Sequence, residues 1–345
     1  MTNYNYQHIA VNTLLKEIIT ENYIGGVLGA TPGAGKTITS FLFINKYLDH
    51  FPDARIMVLT HNQNTLKNQY LQDLSNSHVQ INFSFGDFNS NAQVRVGIPA
   101  SFKAENFDKI DLLIVDEAHH YWGEKMVNEI YYGLKPKHVL LLTGSPRVFL
   151  THNKACSSRY TNHIKKYFIH LISGEELVEN NVFSEVAVNT SVTEGSTKLR
   201  LARAYSKAAG CKYNTDKVMV ACSTISEAQI AKKVMKDLGY NVSLSTSDND
   251  KDSKEFKDFT SGKTNCLMVV QRGVLGFNDP TLTLLIDMRC SEDLDNRFQL
   301  ISRVLRKHPD GIRKAYISVG DSLEKELTIL KKTVKMITRQ GFEEI

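Results

Sequence analysis

The sequence contains no C-x-x-C pair. Its five cysteines, Cys156, Cys211, Cys222, Cys266 and Cys290, are scattered and odd in number. That excludes a disulfide framework and a structural zinc site, and it fits a reducing compartment. No apolar run approaches the roughly 18 residues that a membrane span needs. The opening residues 1–6 have neither the basic region nor the apolar core of a signal peptide. A cytoplasmic protein with no membrane partner is therefore expected. His119-His120 is a dipeptide and not an i, i+4 pair, so it lacks metal-ligand spacing.

What is present describes a globular protein with a sizeable core. Hydrophobic residues make up 42% and charged residues 23% of 345 residues, enough for about two domains. The net charge of +5 permits a polyanionic partner without demonstrating one.

The strongest signal is Ala30-Thr31-Pro32-Gly33-Ala34-Gly35-Lys36-Thr37. An apolar run ending at Leu28 precedes it, and a helical pattern from Ile38 follows. Strand, flexible loop and helix N-terminus form the setting of a phosphate-binding loop. Its glycines turn backbone N–H groups inward around phosphate oxygens. Thr31, Gly33, Ala34, Gly35, Lys36 and Thr37 are the expected contacts, with Lys36 reaching the β- and γ-phosphates and the Thr37 hydroxyl on Mg²⁺. Ala30 stands where the motif has its first glycine. ATP and Mg²⁺ are the expected cofactors.

Residues 8–19 are apolar at helical spacing, and Gln7 just before them reads either as an amide suited to an adenine edge or as a solvated residue at a helix start. Residues 54–60 and 94–99 read as strands. Gln63, Asn64, Lys67, Asn68 and Gln69 lie in a polar stretch that opens a helix and is a candidate to touch a polymer's phosphates. The second strong signal is Leu112-Leu113-Ile114-Val115 followed by Asp116-Glu117-Ala118-His119. A buried strand ends on two carboxylates: Asp116 for Mg²⁺, and Glu117 to orient and deprotonate the attacking water. Residues 137–142 repeat the apolar strand, before a turn in which Thr143 and Ser145 read either as turn formers or as a coupling of the site to a neighbouring domain.

The polar, basic stretch 147–170, with Arg147, His152 and Lys154, reads as the end of one domain and a linker. The expected division is residues 1–165 and 166–345. Strand and helix patterns then alternate again, which implies a second parallel sheet without a second phosphate loop. On the helix expected around 299–307, Gln299, Arg303 and Arg306 fall at i, i+4 and i+7 on one face. Such a face either is solvated or meets a triphosphate. Residues 323–337 fit a core helix with one apolar stripe.

Together these residues resemble superfamily 2 helicases and translocases of the DEAD/DEAH class. Residues 30–37 look like motif I, Asp116-Glu117-Ala118-His119 like the DEAH box and Tyr6-Gln7 like the adenine-reading motif. Thr60 and Gln69 resemble motif Ia, Thr143-Gly144-Ser145-Pro146 motif III and Cys222-Ser223 motif IV. Arg272 to Pro280 resembles motif V, with Asn278 at its usual acidic position. Residues 299–306 resemble motif VI, with Ser302 in the usual glycine place. The resemblance implies an α/β fold of two RecA-like P-loop domains in tandem, each a parallel sheet flanked by helices. It implies an ATP hydrolase in which Glu117, Lys36, Arg303 and Arg306 are catalytic and Gln7 and Gln299 bind nucleotide. The pattern is most similar to compact phage UvsW-like and restriction-translocase motors, hence host cytoplasm if phage-encoded. DNA is the favoured partner, RNA the alternative, with replication, recombination or repair proteins as further partners. A nucleotide-gated loader that unwinds nothing is the rival from another class.

Overall fold

A computed structural model describes residues 5–21, 23–60, 73, 82–85, 91–98, 109–146, 149, 158–246, 248–250, 253–270 and 279–338. Residues 63–69, Arg147, His152, Lys154, Cys156 and the motif V stretch 272–278 lie outside them. The chain forms two compact units divided between Glu176 and Leu177. No helix among the described residues is long and apolar enough to cross a membrane.

The first unit is built on a seven-stranded sheet in the order β3-β4-β2-β5-β6-β1-β7. Its strands are β1 (Gly25–Ala30), β2 (Ile56–Leu59), β3 (Phe83–Phe85), β4 (Val94–Gly97), β5 (Leu112–Val115), β6 (His138–Thr143) and β7 (Tyr167–Ile172). Every pairing is parallel. Four of the five inner strands, β2, β5, β6 and β1, are buried at every residue. That is why they read as continuous apolar runs and not as alternating ones. Helix α1 (Asn5–Thr20) packs on β1, β7 and helix α2 (Lys36–His50). Gly26 makes this approach possible, since a Cβ there would sit 2.6 Å from Leu14 Cδ2.

Strand β7 moves the division of the chain past the expected 165/166. It pairs with β1 in register from Gly25↔Tyr167 to Ala30↔Ile172, and so belongs to the first sheet. As an edge strand it is only half-buried over its middle four residues, and the basic pair Lys165-Lys166 directly before it makes the stretch read as linker.

The second unit carries a six-stranded parallel sheet, β10-β11-β9-β12-β13-β8. The strands are β8 (Val186–Val192), β9 (Val218–Cys222), β10 (Val242–Ser245), β11 (Cys266–Val270), β12 (Leu284–Asp287) and β13 (Lys314–Gly320). The alternating pattern of the sequence is thus a parallel α/β sheet in each half, as expected. Helix starts are fixed locally. Ser196, Thr224 and Asp293 cap the helices Thr197–Gly210, Ile225–Asp237 and Leu294–Leu305 by accepting backbone N–H bonds.

Candidate active site

Parallel strands deliver the loops at their C-terminal ends to one edge of the sheet, and β5, β6 and β1 are neighbours. The loop after β1, the acidic turn after β5 and the turn after β6 therefore emerge side by side. These are the three segments that the sequence marked for chemistry.

The loop after β1 turns through two glycines in the left-handed region, Gly33 at φ 99° and Gly35 at φ 75°. A side chain there would be strained, and a Cβ on Gly35 would also lie 2.6 Å from Gln7 Nε2. Helix α2 starts at Lys36, directly after Gly35. The first N–H groups of a helix lack intrahelical partners and its N-terminus is the positive dipole end, so the junction of loop and α2 is a ready place for an anion. The Lys36 side chain is buried and its Nζ donates to Ala30 O at 3.2 Å, folded back across its own loop. The turn after β6 closes on it, since a Cβ on Gly144 would stand 3.7 Å from that Nζ. Thr37, the second residue of α2, is partly exposed at the same helix end.

Asp116 follows β5, its N–H donating to Leu59 O at 2.8 Å and its Oδ1 accepting from the Glu117 N–H at 3.0 Å. Burial, with the Glu117 charge beside it, pushes the Asp116 carboxyl up to about 7, while Lys36 pulls the other way. Glu117 itself is held at φ 47°, ψ 46°, a left-handed conformation unusual for a residue with a side chain, at the cap of helix α3 (Ala118–Tyr121). His119 Nδ1 lies 3.5 Å from Glu117 Oε2 and 3.0 Å from Thr143 Oγ1. Thr143 Oγ1 in turn accepts from the Ser145 N–H at 3.0 Å. The Thr143–Ser145 turn is thereby tied to the Glu117 helix within the first unit.

The raised Asp116 pKa has a sign that can be tested on nucleotide-free, metal-free protein. A carboxyl near 4 when unfolded and about 7 when folded binds its proton more tightly in the folded state. The contribution of this group to stability is therefore greatest below pH 4 and is lost as pH rises from about 4 to about 7. Asp116→Asn removes the titration. The variant should melt with the wild type near pH 3 but several degrees above it at pH 8, as followed by circular dichroism. Equal melting at both values would show that Asp116 is not desolvated.

The donor set fits Mg²⁺ bound with a nucleotide. Mg²⁺ usually takes only one or two carboxylates and fills its octahedron with waters and phosphates. One hydroxyl and one buried carboxyl whose charge is disfavoured until a cation shares it are such a set. No group of three or more His, Cys, Asp or Glu side chains that could hold a metal occurs among the described residues.

Nine of the expected residues, Gln7, Thr31, Gly33, Ala34, Gly35, Lys36, Thr37, Asp116 and Glu117, lie in the first unit on the loop after β1, the start of α2, the turn after β5 and the start of α1. The expected helical face of Gln299, Arg303 and Arg306 is corrected in the second unit. Gln299 and Arg303 are buried on the helix Leu294–Leu305. Arg306 has left it at φ −60°, ψ 138° and bridges Phe183 in antiparallel fashion. Backbone pairing on both sides, Ser184 N–H to Leu305 O and Lys307 N–H to Val182 O, draws the chain out of the helix. The spacing i, i+7 therefore does not carry Arg306 onto that face. A further contact went unread in the sequence: the Tyr6 hydroxyl donates to Ala34 O at 2.8 Å.

Residues 1–148 match the family model "Type III restriction enzyme, res subunit", and residues 199–308 match "Helicase conserved C-terminal domain". No curated protein matches the chain. Among solved structures, a fragment of an HsdR subunit of a type I restriction enzyme from Vibrio vulnificus YJ016 is similar at 17% identity and TM-score 0.69, over 94% of this chain and 66% of that one. Dbp5 of S. cerevisiae, bound to RNA and ADP BeF3, is similar at 16% identity and TM-score 0.67, over 100% and 88%. The Type ISP restriction-modification enzyme LlaBIII bound to DNA is similar at 16% identity and TM-score 0.72, over 99% of this chain but 30% of its own. At such identities the likeness is one of fold, and the fold is two RecA-like domains in tandem. The chain spans just under two thirds of the HsdR fragment and less than a third of LlaBIII.

Proposed function

Because this chain belongs to superfamily 2 of the helicases, we propose that it is an ATP-driven motor that moves along DNA and unwinds or remodels it. The observation that carries the proposal is that the glycine-bearing loop after β1, leading into Lys36 at the start of α2, and the Asp116–Glu117 turn after β5 emerge at the same edge of one parallel sheet, on strands that flank β6. In this reading the loop N–H groups of residues 33–37 and the Lys36 ammonium hold the phosphates. Thr37 and Asp116 hold Mg²⁺, which when bound neutralises phosphate charge. Glu117 orients a water and takes its proton, and the left-handed backbone at 117 fixes where that carboxylate points. Gln7 serves the base. Gln299, Arg303 and Arg306 are assigned to nucleotide turnover from their resemblance to motif VI alone.

DNA is preferred to RNA because the model matching residues 1–148 is that of a restriction-enzyme subunit. The structural neighbours include one protein bound to DNA and one bound to RNA, so the fold supports either polymer. The test is phosphate release with single-stranded DNA, duplex DNA, RNA or no polymer, together with strand displacement on forked duplexes. Stimulation of about tenfold or more by DNA, suppressed as salt rises, is expected. Equal or greater stimulation by RNA would move the assignment to an RNA motor. Polymer-stimulated hydrolysis without displacement would favour a translocase or a nucleotide-gated loader.

A further inference from the structure

Helix α1 brings two side chains onto the crest of the phosphate loop. The Tyr6 hydroxyl donates to Ala34 O at 2.8 Å, and Gln7 Nε2 donates to Gly35 O at 3.4 Å. Tyr6 is 2% exposed, so its hydroxyl bond is made away from competing water. The two carbonyls belong to consecutive peptide units, and each unit is a rigid plane. In a trans peptide the C=O and the following N–H point in opposite directions. Holding Ala34 O toward α1 therefore turns the Gly35 N–H away from α1. Holding Gly35 O does the same for the Lys36 N–H.

Gly35 O has a second anchor, accepting from the Thr39 N–H at 2.9 Å and from Thr39 Oγ1 at 3.1 Å. The described contacts of Ala34 O, by contrast, run to Tyr6. The Ala34–Gly35 unit is also where the chain needs most restraint, because Gly35 has no side chain to limit its φ and ψ.

We propose that Tyr6 is a positioning residue for phosphate binding: its hydroxyl latches the Ala34–Gly35 peptide so that the Gly35 N–H is aimed into the loop before any ligand arrives. The role rests on the nucleotide-site reading of this loop. It differs from reading the base, which is the task given to the adjacent Gln7. The latch lowers the conformational cost of binding phosphates and leaves the chemical step alone.

Tyr6→Phe keeps the buried ring and removes only the hydroxyl. Binding of ADP and of inorganic pyrophosphate is measured by calorimetry for wild type and variant, with the KM and kcat of ATP hydrolysis. Pyrophosphate has no base, so it reports the loop alone. Loss of one net hydrogen bond's worth of preorganisation should weaken both ligands by the same factor, about three- to tenfold. KM for ATP should rise by a similar factor with kcat unchanged. Tyr6→Phe equal to wild type for both ligands would overturn the latch, and so would weaker ADP binding with unchanged pyrophosphate binding, which would put Tyr6 on the base side. Wild-type protein that binds neither ligand would instead overturn the nucleotide-site reading beneath it.

Discussion

Glu117→Gln is expected to bind ATP within about threefold of wild type while hydrolysing it at least a hundredfold more slowly, the scale of a lost general base. Glutamine has nearly the shape of glutamate and the same backbone demands, so the left-handed turn at 117 and the cap of α3 persist. What disappears is the ability to take a proton from water. The phosphate loop is untouched, which is why binding and turnover should separate. The nearby Asp116 is no substitute, since burial disfavours its charged form and it is assigned to the cation. His119, 3.5 Å from the Glu117 carboxylate, would lose a charged neighbour but keep Thr143. Unchanged turnover in the variant would remove Glu117 from the mechanism.

The largest expected effect on stability lies in the second unit, at Arg297. This guanidinium is fully enclosed and grips Glu326 with two bonds of 2.9 Å, Nη1 to Oε2 and Nη2 to Oε1. Nη1 also donates to Ser318 Oγ at 2.5 Å, Ser318 Oγ donates to Glu326 Oε2 at 2.5 Å, and Nε donates to Ser291 O. The pair joins the helix Leu294–Leu305 to the helix Leu323–Thr338 over the end of β13. Gly320 leaves the space: a Cβ there would fall 2.1 Å from Glu326 Cγ. Arg297→Ala strands the Glu326 carboxylate in a buried place, and removing one partner of such a pair costs about 3–5 kcal/mol. Calorimetry should show that loss in the transition of the second unit. Replacing both residues with apolar ones of similar size should recover much of it, because neither charge is then left alone. A loss below about 1 kcal/mol in Arg297→Ala would mean that the carboxylate finds water.

The features that were readable in the sequence are local ones, the strands and the loops that directly follow them. The phosphate loop needs its glycines and lysine within eight positions, flanked by a strand and a helix, and all of that is contiguous. The acidic turn needs only an apolar strand and the two carboxylates at its end. Long-range features were not readable. Arg306 leaves its helix because residues 182–184, over a hundred positions earlier, pair with its backbone. Strand β7 read as linker because its short, mostly apolar run directly follows the polar, basic residues 147–166. Arg297 and Glu326 are 29 positions apart and have no periodic relation that would reveal a pair. Strand β13, buried at every residue, went unnoticed between a polar turn and the last helix. Tyr6 was passed over for Gln7 because an amide suggests a base, whereas the tyrosine's partner is a backbone carbonyl that no pattern displays.

The direct test of the site is the identity of the nucleotide held by Glu117→Gln after equilibration with radiolabelled ATP and Mg²⁺. The expected result is about one nucleotide per chain, recovered as ATP, where wild type under the same conditions yields ADP. Recovery of ADP from the variant, or equal amounts of product from both proteins, would contradict a catalytic pocket formed by the loop after β1 and the acidic end of β5.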